Sequence, residues 1–158
     1  MVEKIPMTPV GLTRLEDELR ALKSVERPAV IRQIAEAREH GDLSENAEYH
    51  AARERQSFIE GRITELEDII SRAQVIDSST LSGDQVRFGA TVTLADEDSD
   101  EEIVYMIVGA HESDIRSGRL SVNAPLARAL IGKHIGASVE VTTPSGSKIY
   151  AIVDVKFI

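Results

Sequence analysis

The sequence predicts an α+β chain in two parts. Residues 1–76 read as a long antiparallel α-helical coiled-coil hairpin. Residues 85–158 read as a small antiparallel β-sheet domain with one helix. Three observations carry this. Two apolar seams spaced three and four residues apart run along the first part, the period of a coiled coil. The stretch 77–84, Asp77-Ser78-Ser79-Thr80-Leu81-Ser82-Gly83-Asp84, is rich in turn formers and reads as a linker. Beyond it apolar residues alternate with polar ones, the period of a strand.

Thr8 suits the N-cap of the first helix, with Pro9 in the first turn, where a missing N–H costs nothing. Leu12, Leu15, Leu19 and Leu22 form the seam. Pro28 costs about 3 kcal/mol in a helix interior, so a kink or short break is expected near Val25–Arg27. The pattern resumes with Val30, Ile31, Ile34 and Ala37 and dissolves at Glu39-His40-Gly41. A second helix runs from Ala47 to about Ala73, with a seam of Ile59, Ile63, Leu66, Ile70 and Ala73. In an antiparallel hairpin, partner numbers add to a constant. Leu12 with Ala73, Leu15 with Ile70, Leu19 with Leu66 and Leu22 with Ile63 all give 85. The turn therefore falls between Asp42 and Leu43. From Leu12 to that turn each arm is roughly 45 Å long at the α-helical rise. Toward the turn the seam thins to Ile34, Ala37, Ala47, Ala51 and Ala52, a slender end.

In the second part Val86–Phe88 and Ala90–Ala95 read as a strand region. Ile103–Gly109 reads as a central strand and Leu120–Val122 as a short edge strand. Asn123 suits the N-cap of a helix over Ala124–Ile131, with Pro125 in its first turn and Gly132 at its end. Ser138–Thr142 and Lys148–Phe157 form a hairpin across Pro144-Ser145-Gly146. About 79 residues suffice for a modest independent core.

Composition narrows the function. The chain has no Cys, so disulfides and thiolate metal sites are excluded. Met1–Pro6 holds no apolar signal core, and no stretch approaches the ~18 apolar residues of a membrane span. A soluble cytoplasmic protein without membrane contact is expected. The formal net charge is -9. Residues 1–76 carry 15 acids against 11 bases, and residues 77–158 carry 12 against 7. Neither part is a basic body, so no direct strong DNA binding is expected, and a nucleic-acid role would run through a partner.

The stretch Gly41-Asp42-Leu43-Ser44-Glu45-Asn46-Ala47-Glu48-Tyr49 holds the chemistry. Gly41 takes the positive φ of a tight turn, and Asp42, Ser44 and Asn46 favour turns and caps. Asp42 and Glu45, three apart, suit a shared direction on a turn. Two converging carboxylates hold a hard divalent cation when something else supplies further ligands. They also orient or deprotonate a water. The plainer use is open too: acids at a helix start offset the macrodipole, and Asp42 or Ser44 serves as a cap. Glu48 fits dipole neutralisation. Tyr49 suits stacking on a base or packing over the turn. Arg38, Arg53 and Arg55 suit an RNA phosphate or ion pairs with Glu36, Glu39 and Glu54, the commoner use. His40 and His50 form no helical His-x-x-x-His pair, so a transition-metal site is not supported. The acidic run 96–102 lacks the glycine of a calcium loop, and Ile131-Gly132-Lys133-His134 is no phosphate loop.

The stretch Ala35–His50 closely resembles the tip signature of the bacterial transcript-cleavage factors of the GreA/GreB family. Ala73-Gln74-Val75-Ile76-Asp77, Phe88-Gly89-Ala90-Thr91-Val92 and Ser121–Lys133 resemble its later motifs. The chain resembles the GreA branch of that family more than the GreB branch, because the arms near the tip carry no dense Lys/Arg patch. The resemblance implies that the C-terminal domain is FKBP-like and docks on bacterial RNA polymerase, with the coiled coil entering the secondary channel. It implies stimulation of the polymerase's own cleavage of backtracked nascent RNA at its 3′ end, by a factor that is no enzyme alone. Asp42 and Glu45 are then the acids acting in the polymerase active site, sharing an Mg²⁺ that the isolated protein does not hold stably. Tyr49, Arg38, Arg53, Arg55, Asn46 and Ser44 are the residues expected to contact RNA or the partner. A monomer is expected. The alternatives are a channel-binding regulator that inhibits cleavage, a prolyl isomerase and a coiled-coil scaffold. The intact acids argue against the first, and the thin aromatic set Phe88, Tyr105, Tyr150 and Phe157 against the second.

Overall fold

The computed structural model describes residues 3–42 and 44–158. The chain divides into two compact units, one built on Leu12–Ala73 and the other on Lys4–Gly11 with Gln74–Ile158.

The first unit is the helical hairpin. Its first arm comprises α1 (Pro9–Ala21) and α2 (Arg27–Arg38), joined by a π-helical segment at Leu22–Glu26. The break expected near Val25–Arg27 is thus a widened turn, and the helix continues through it. Pro28 has no N–H to give, and its ring would press on the carbonyl of Ser24. The wider turn relieves that clash, and the Arg27 N–H reaches back to the Leu22 carbonyl.

The second arm is α3 (Ala47–Ser71). Val30, Ile59 and Ile63 are buried together, with Leu19 and Leu22 packed against them. Leu66 is fully buried. Arg27 forks onto Glu60 through two 2.8 Å bonds, and Arg62 onto Glu18 at 2.7 and 2.9 Å. Arg55 pairs with Glu26 and Lys23 with Glu67. These pairs join the arms near the predicted register. The seam departs from expectation at the base, where Ile69 is buried and Ile70 only half so. A straight helix drifts from the heptad period, and here the drift passes the inward role to the neighbour. Ile31, read as part of the pattern, is exposed.

The second unit holds two sheets. Short strands β1 (Ile5–Met7) and β2 (Ala73–Val75), which the sequence reading did not assign, pair as a two-stranded sheet. The α1 start lies in this unit. Thr8 caps it, its hydroxyl accepting the Gly11 N–H at 3.0 Å. Glu112 in turn accepts the Thr8 N–H at 2.8 Å, the Thr8 hydroxyl and the Gly109 N–H at 3.1 Å. A Cβ on Gly11 would strike the Glu112 carboxylate, which explains a glycine in a helical first turn.

The stretch read as a linker is partly built in. Ser78–Thr80 form a 3₁₀ turn capped by Asp77, and buried Ser78 donates its hydroxyl to the Ile158 carbonyl at 2.7 Å.

The main sheet contains β3 (Thr91–Asp96), β4 (Glu102–Val108), β5 (Arg119–Ser121), β6 (Ser138–Thr143) and β7 (Gly146–Lys156). Their order is β5-β4-β3-β7-β6. All neighbours are antiparallel except β4 and β5, which run parallel. The strand read as central, β4, has neighbours on both sides, β5 and β3, and β3 is the middle of the five. Val104 of β4 is 51% exposed, so that apolar run is not buried on both faces. Val86–Phe88 lies outside the strands: the Val86 backbone bonds to Gly132 and Lys133 instead. Helix α4 (Pro125–Leu130) is capped at Ala124 with no side-chain bond, so Asn123 is not the cap. Ala127 and Leu130 from α4 join Val92, Leu94, Ile107 and Ile152 in one aliphatic core.

Candidate functional site at the hairpin apex

The apex lies between the end of α2 and the start of α3. Four of its described residues, Gly41, Asp42, Ser44 and Glu45, are exposed. Gly41 adopts φ +113, a conformation that side chains resist. Leu43, one side of the predicted turn point, lies outside the described residues.

Among the described residues, Asp42 is tied down by one oxygen only. Its Oδ1 accepts the Ser44 hydroxyl at 2.9 Å and the Ser44 N–H at 3.0 Å, an Asx turn. These two bonds, the hydroxyl first, hold the Asp42 carboxyl below the ordinary Asp range. Its Oδ2 has no hydrogen-bond partner among the described residues. No ion pair among the described residues involves Asp42, Glu45 or Glu48. His40, Asp42, Glu45, Asn46, Ala47 and Glu48 line one shallow concavity.

Asn46, rather than Asp42 or Ser44, is the N-cap of α3. Its Oδ1 accepts the Tyr49 N–H at 3.0 Å, and its Nδ2 donates to the Ala37 carbonyl on the other arm at 2.6 Å. Glu48 occupies the first turn of α3, where a carboxylate offsets the helix dipole.

Tyr49 sits between two guanidinium groups, Arg38 at 5.9 Å and Arg53 at 6.0 Å from the ring centre. That is cation–π range. Arg53 Nη1 also donates to the Tyr49 hydroxyl at 3.2 Å. Arg38, with Arg53, holds the phenol below its ordinary pKa. The acids Glu36, Glu39 and Glu54, read as partners for these arginines, are not used. Tyr49 and Arg53 are four residues apart on one helical face, and Arg38 comes across from the other arm. Arg55 pairs with Glu26 and does not join them. His50 Nε2 lies 3.2 Å from the Ser44 carbonyl, and its ring meets Tyr49 edge-on.

The structure places Asp42, Ser44, Glu45 and Asn46 together at the apex; the sequence reading missed the bond from Asn46 to Ala37 and the packing of arginines on Tyr49. The only signal was the register: Asn46 and Ala37 nearly satisfy the rule that places the turn.

As chemistry, the apex offers exposed carboxylate oxygens, those of Asp42 with a pKa held below the ordinary Asp range by the Ser44 bonds, on a slender two-helix mount. Oxygen donors of this kind suit a hard cation such as Mg²⁺. Among the described residues no three His, Asp or Glu side chains gather as a metal site. An ion shared with Asp42 and Glu45 would therefore take its other ligands from elsewhere.

The fold and apex define a hairpin-and-sheet protein that carries carboxylates at the end of a paired helical arm. The chain matches the family profile "Transcription elongation factor, N-terminal" of GreA and GreB over residues 5–75, and the GreA/GreB C-terminal profile over residues 81–157. It is 69% identical over 156 residues to the transcription elongation factor GreA of Rhodospirillum rubrum, covering 99% of each chain. To that of Acidiphilium cryptum it is 66% identical over 156 residues, again covering 99% of each. The crystal structure of GreA factor homolog 1 from Thermus thermophilus is similar at 26% identity and a TM-score of 0.44, over 97% of this chain and 99% of that one. The chain belongs to the GreA/GreB family of transcription elongation factors.

No helix among the described residues is long and apolar enough to cross a membrane.

Proposed function

We propose that this elongation factor binds bacterial RNA polymerase, inserts its hairpin through the secondary channel and stimulates the polymerase's own cleavage of backtracked nascent RNA. Family membership supports the partner. The observation that carries the chemistry is the apex: Asp42, its pKa lowered by the bonds to Oδ1 and its Oδ2 without a hydrogen-bond partner among the described residues, beside an exposed Glu45.

Each residue has a part. Ser44 orients the Asp42 carboxylate and keeps it charged. Asp42 Oδ2 and Glu45 present oxygen donors, and either one accepts a proton from, or orients, an attacking water. Tyr49, Arg38 and Arg53 form a cationic aromatic cluster behind them, suited to the extruded RNA 3′ end. An Mg²⁺ held jointly with the polymerase supplies Lewis-acid stabilisation to phosphodiester hydrolysis. Alone, the two acids are too few to retain it, since Mg²⁺ keeps its waters unless phosphates or further carboxylates join. The factor on this reading is not a nuclease by itself. It completes another protein's active site and works in the same compartment as the polymerase.

The test is release of short 3′ fragments from 3′-labelled RNA in a stalled, backtracked polymerase complex with Mg²⁺. Faster release with the factor than without it is expected. Equal release would leave an inhibitory channel-binding regulator as the better account.

A further inference from the structure

Among the described residues, Asn46 is the one side chain that closes both helix ends at the apex. The last carbonyls of a helix and its first N–H groups lack internal partners. The Ala37 carbonyl, in the last turn of α2, accepts the Asn46 Nδ2 at 2.6 Å besides the His40 N–H at 3.1 Å. The same amide's Oδ1 accepts the Tyr49 N–H in the first turn of α3. Ala37 is 3% exposed and Asn46 half-buried, so these bonds are partly shielded from water. Both ends of the acid-bearing loop are thereby pinned to one planar group. Among the described residues the buried seam there consists of Ile34, Ala37 and Ala52, two of them small.

We infer that Asn46 is a positioning residue, in place of the RNA or partner contact that the resemblance implied for it: its amide latches α2 to α3 and fixes where Asp42 and Glu45 stand. This rests on the proposed cleavage function for its consequence, but not for its geometry. The amide is what matters. Asp caps a helix as well as Asn does, yet an ionised carboxylate has no donor for the Ala37 carbonyl and sets oxygen against oxygen. Asn46→Asp thus separates the latch from the cap.

Two readouts test it. Because the chain has no Cys, spin labels at Glu36→Cys and Ala51→Cys, both exposed and facing across the apex, report the separation of the arms. Asn46→Asp broadens that distance distribution while the helix content and melting temperature stay near those of the labelled parent. In the backtracked complex, Asn46→Asp lowers the maximal cleavage rate at saturating factor by about tenfold or more, the scale on which small misplacements of reacting groups act. The factor concentration giving half that rate stays within about twofold, as binding is untouched. An unchanged distance distribution overturns the latch, whatever the cleavage assay does. Full stimulation by Asn46→Asp also overturns it, and a raised half-saturating concentration would make Asn46 a contact instead. Failure of the unsubstituted factor to stimulate cleavage would sink the proposed function alone, leaving the distance measurement to decide the latch.

Discussion

The middle of the hairpin and its apex use charge in opposite ways. In the middle, Arg27, Arg62, Arg55 and Lys23 each meet an acid across the arms, over a seam of buried Val30, Ile59, Ile63 and Leu66. At the apex Asp42, Glu45 and Glu48 meet no base among the described residues, and the two nearest arginines are turned onto Tyr49. Pairing spends charge on holding two helices together. Leaving it unpaired keeps it available to something outside the molecule. On the proposed function, stability and chemistry are separated along this arm, the paired charges holding the middle and the unpaired ones standing at the apex.

The largest effect that would break the comparison is in the seam. Ile63 is 2% exposed, and Ile63→Ala is expected to cost about 2–5 kcal/mol, read from chemical denaturation followed by circular dichroism. A cost near zero would show that the middle does not carry the hairpin's stability. Smaller and opposite in sign is Gly61. It lies in the interior of α3, exposed, with open space where a Cβ would go. Gly61→Ala should stabilise by about 0.5–1 kcal/mol, because glycine loses the most backbone freedom in a helix. A loss of stability would mean that α3 needs flexibility there.

The ion pairs come next. The Arg62 hydrogen bonds hold Glu18 below its ordinary value of 4.5. A depressed folded pKa gives stability that is complete above the unfolded pKa and disappears as pH falls through the folded one. Thermal melts should therefore fall as pH drops below about 4.5, and Glu18→Gln should flatten part of that slope. As Glu18 is 41% exposed, its share is at most about 1 kcal/mol. The smallest effect concerns Tyr49. Ultraviolet titration should find one phenol ionising below the usual 10.0, and Arg38→Ala should move it upward. No movement would mean that the arginines do not act on the ring.

How much of this was legible depends on reach. Leu12, Leu15, Leu19 and Leu22 of the first arm and the isoleucines of α3 announce a hairpin because the helical period is local, and their numbering places the turn. The acids at Asp42 and Glu45 stand out because nothing nearby needs them. What stayed hidden involves partners far apart in sequence. Glu112 receives Thr8 from 104 residues away, and no periodicity signals it. Ser78 looked like linker because its bond to Ile158 closes across the whole second unit. The parallel pairing of β5 with β4 depends on the chain between them, where Ile115–Ser117 form a 3₁₀ turn before β5. Asn46 fell between the two cases: its capping role is written locally, its cross-arm bond is not.

One measurement bears most directly on the separation of stability from chemistry. The Asp42→Asn/Glu45→Gln double variant would be compared with the parent for hairpin melting, polymerase binding and 3′-fragment release from backtracked complexes. The account predicts melting and binding close to the parent, with stimulated release lost. Full stimulation by the double variant would contradict it and return the apex acids to the role of helix caps.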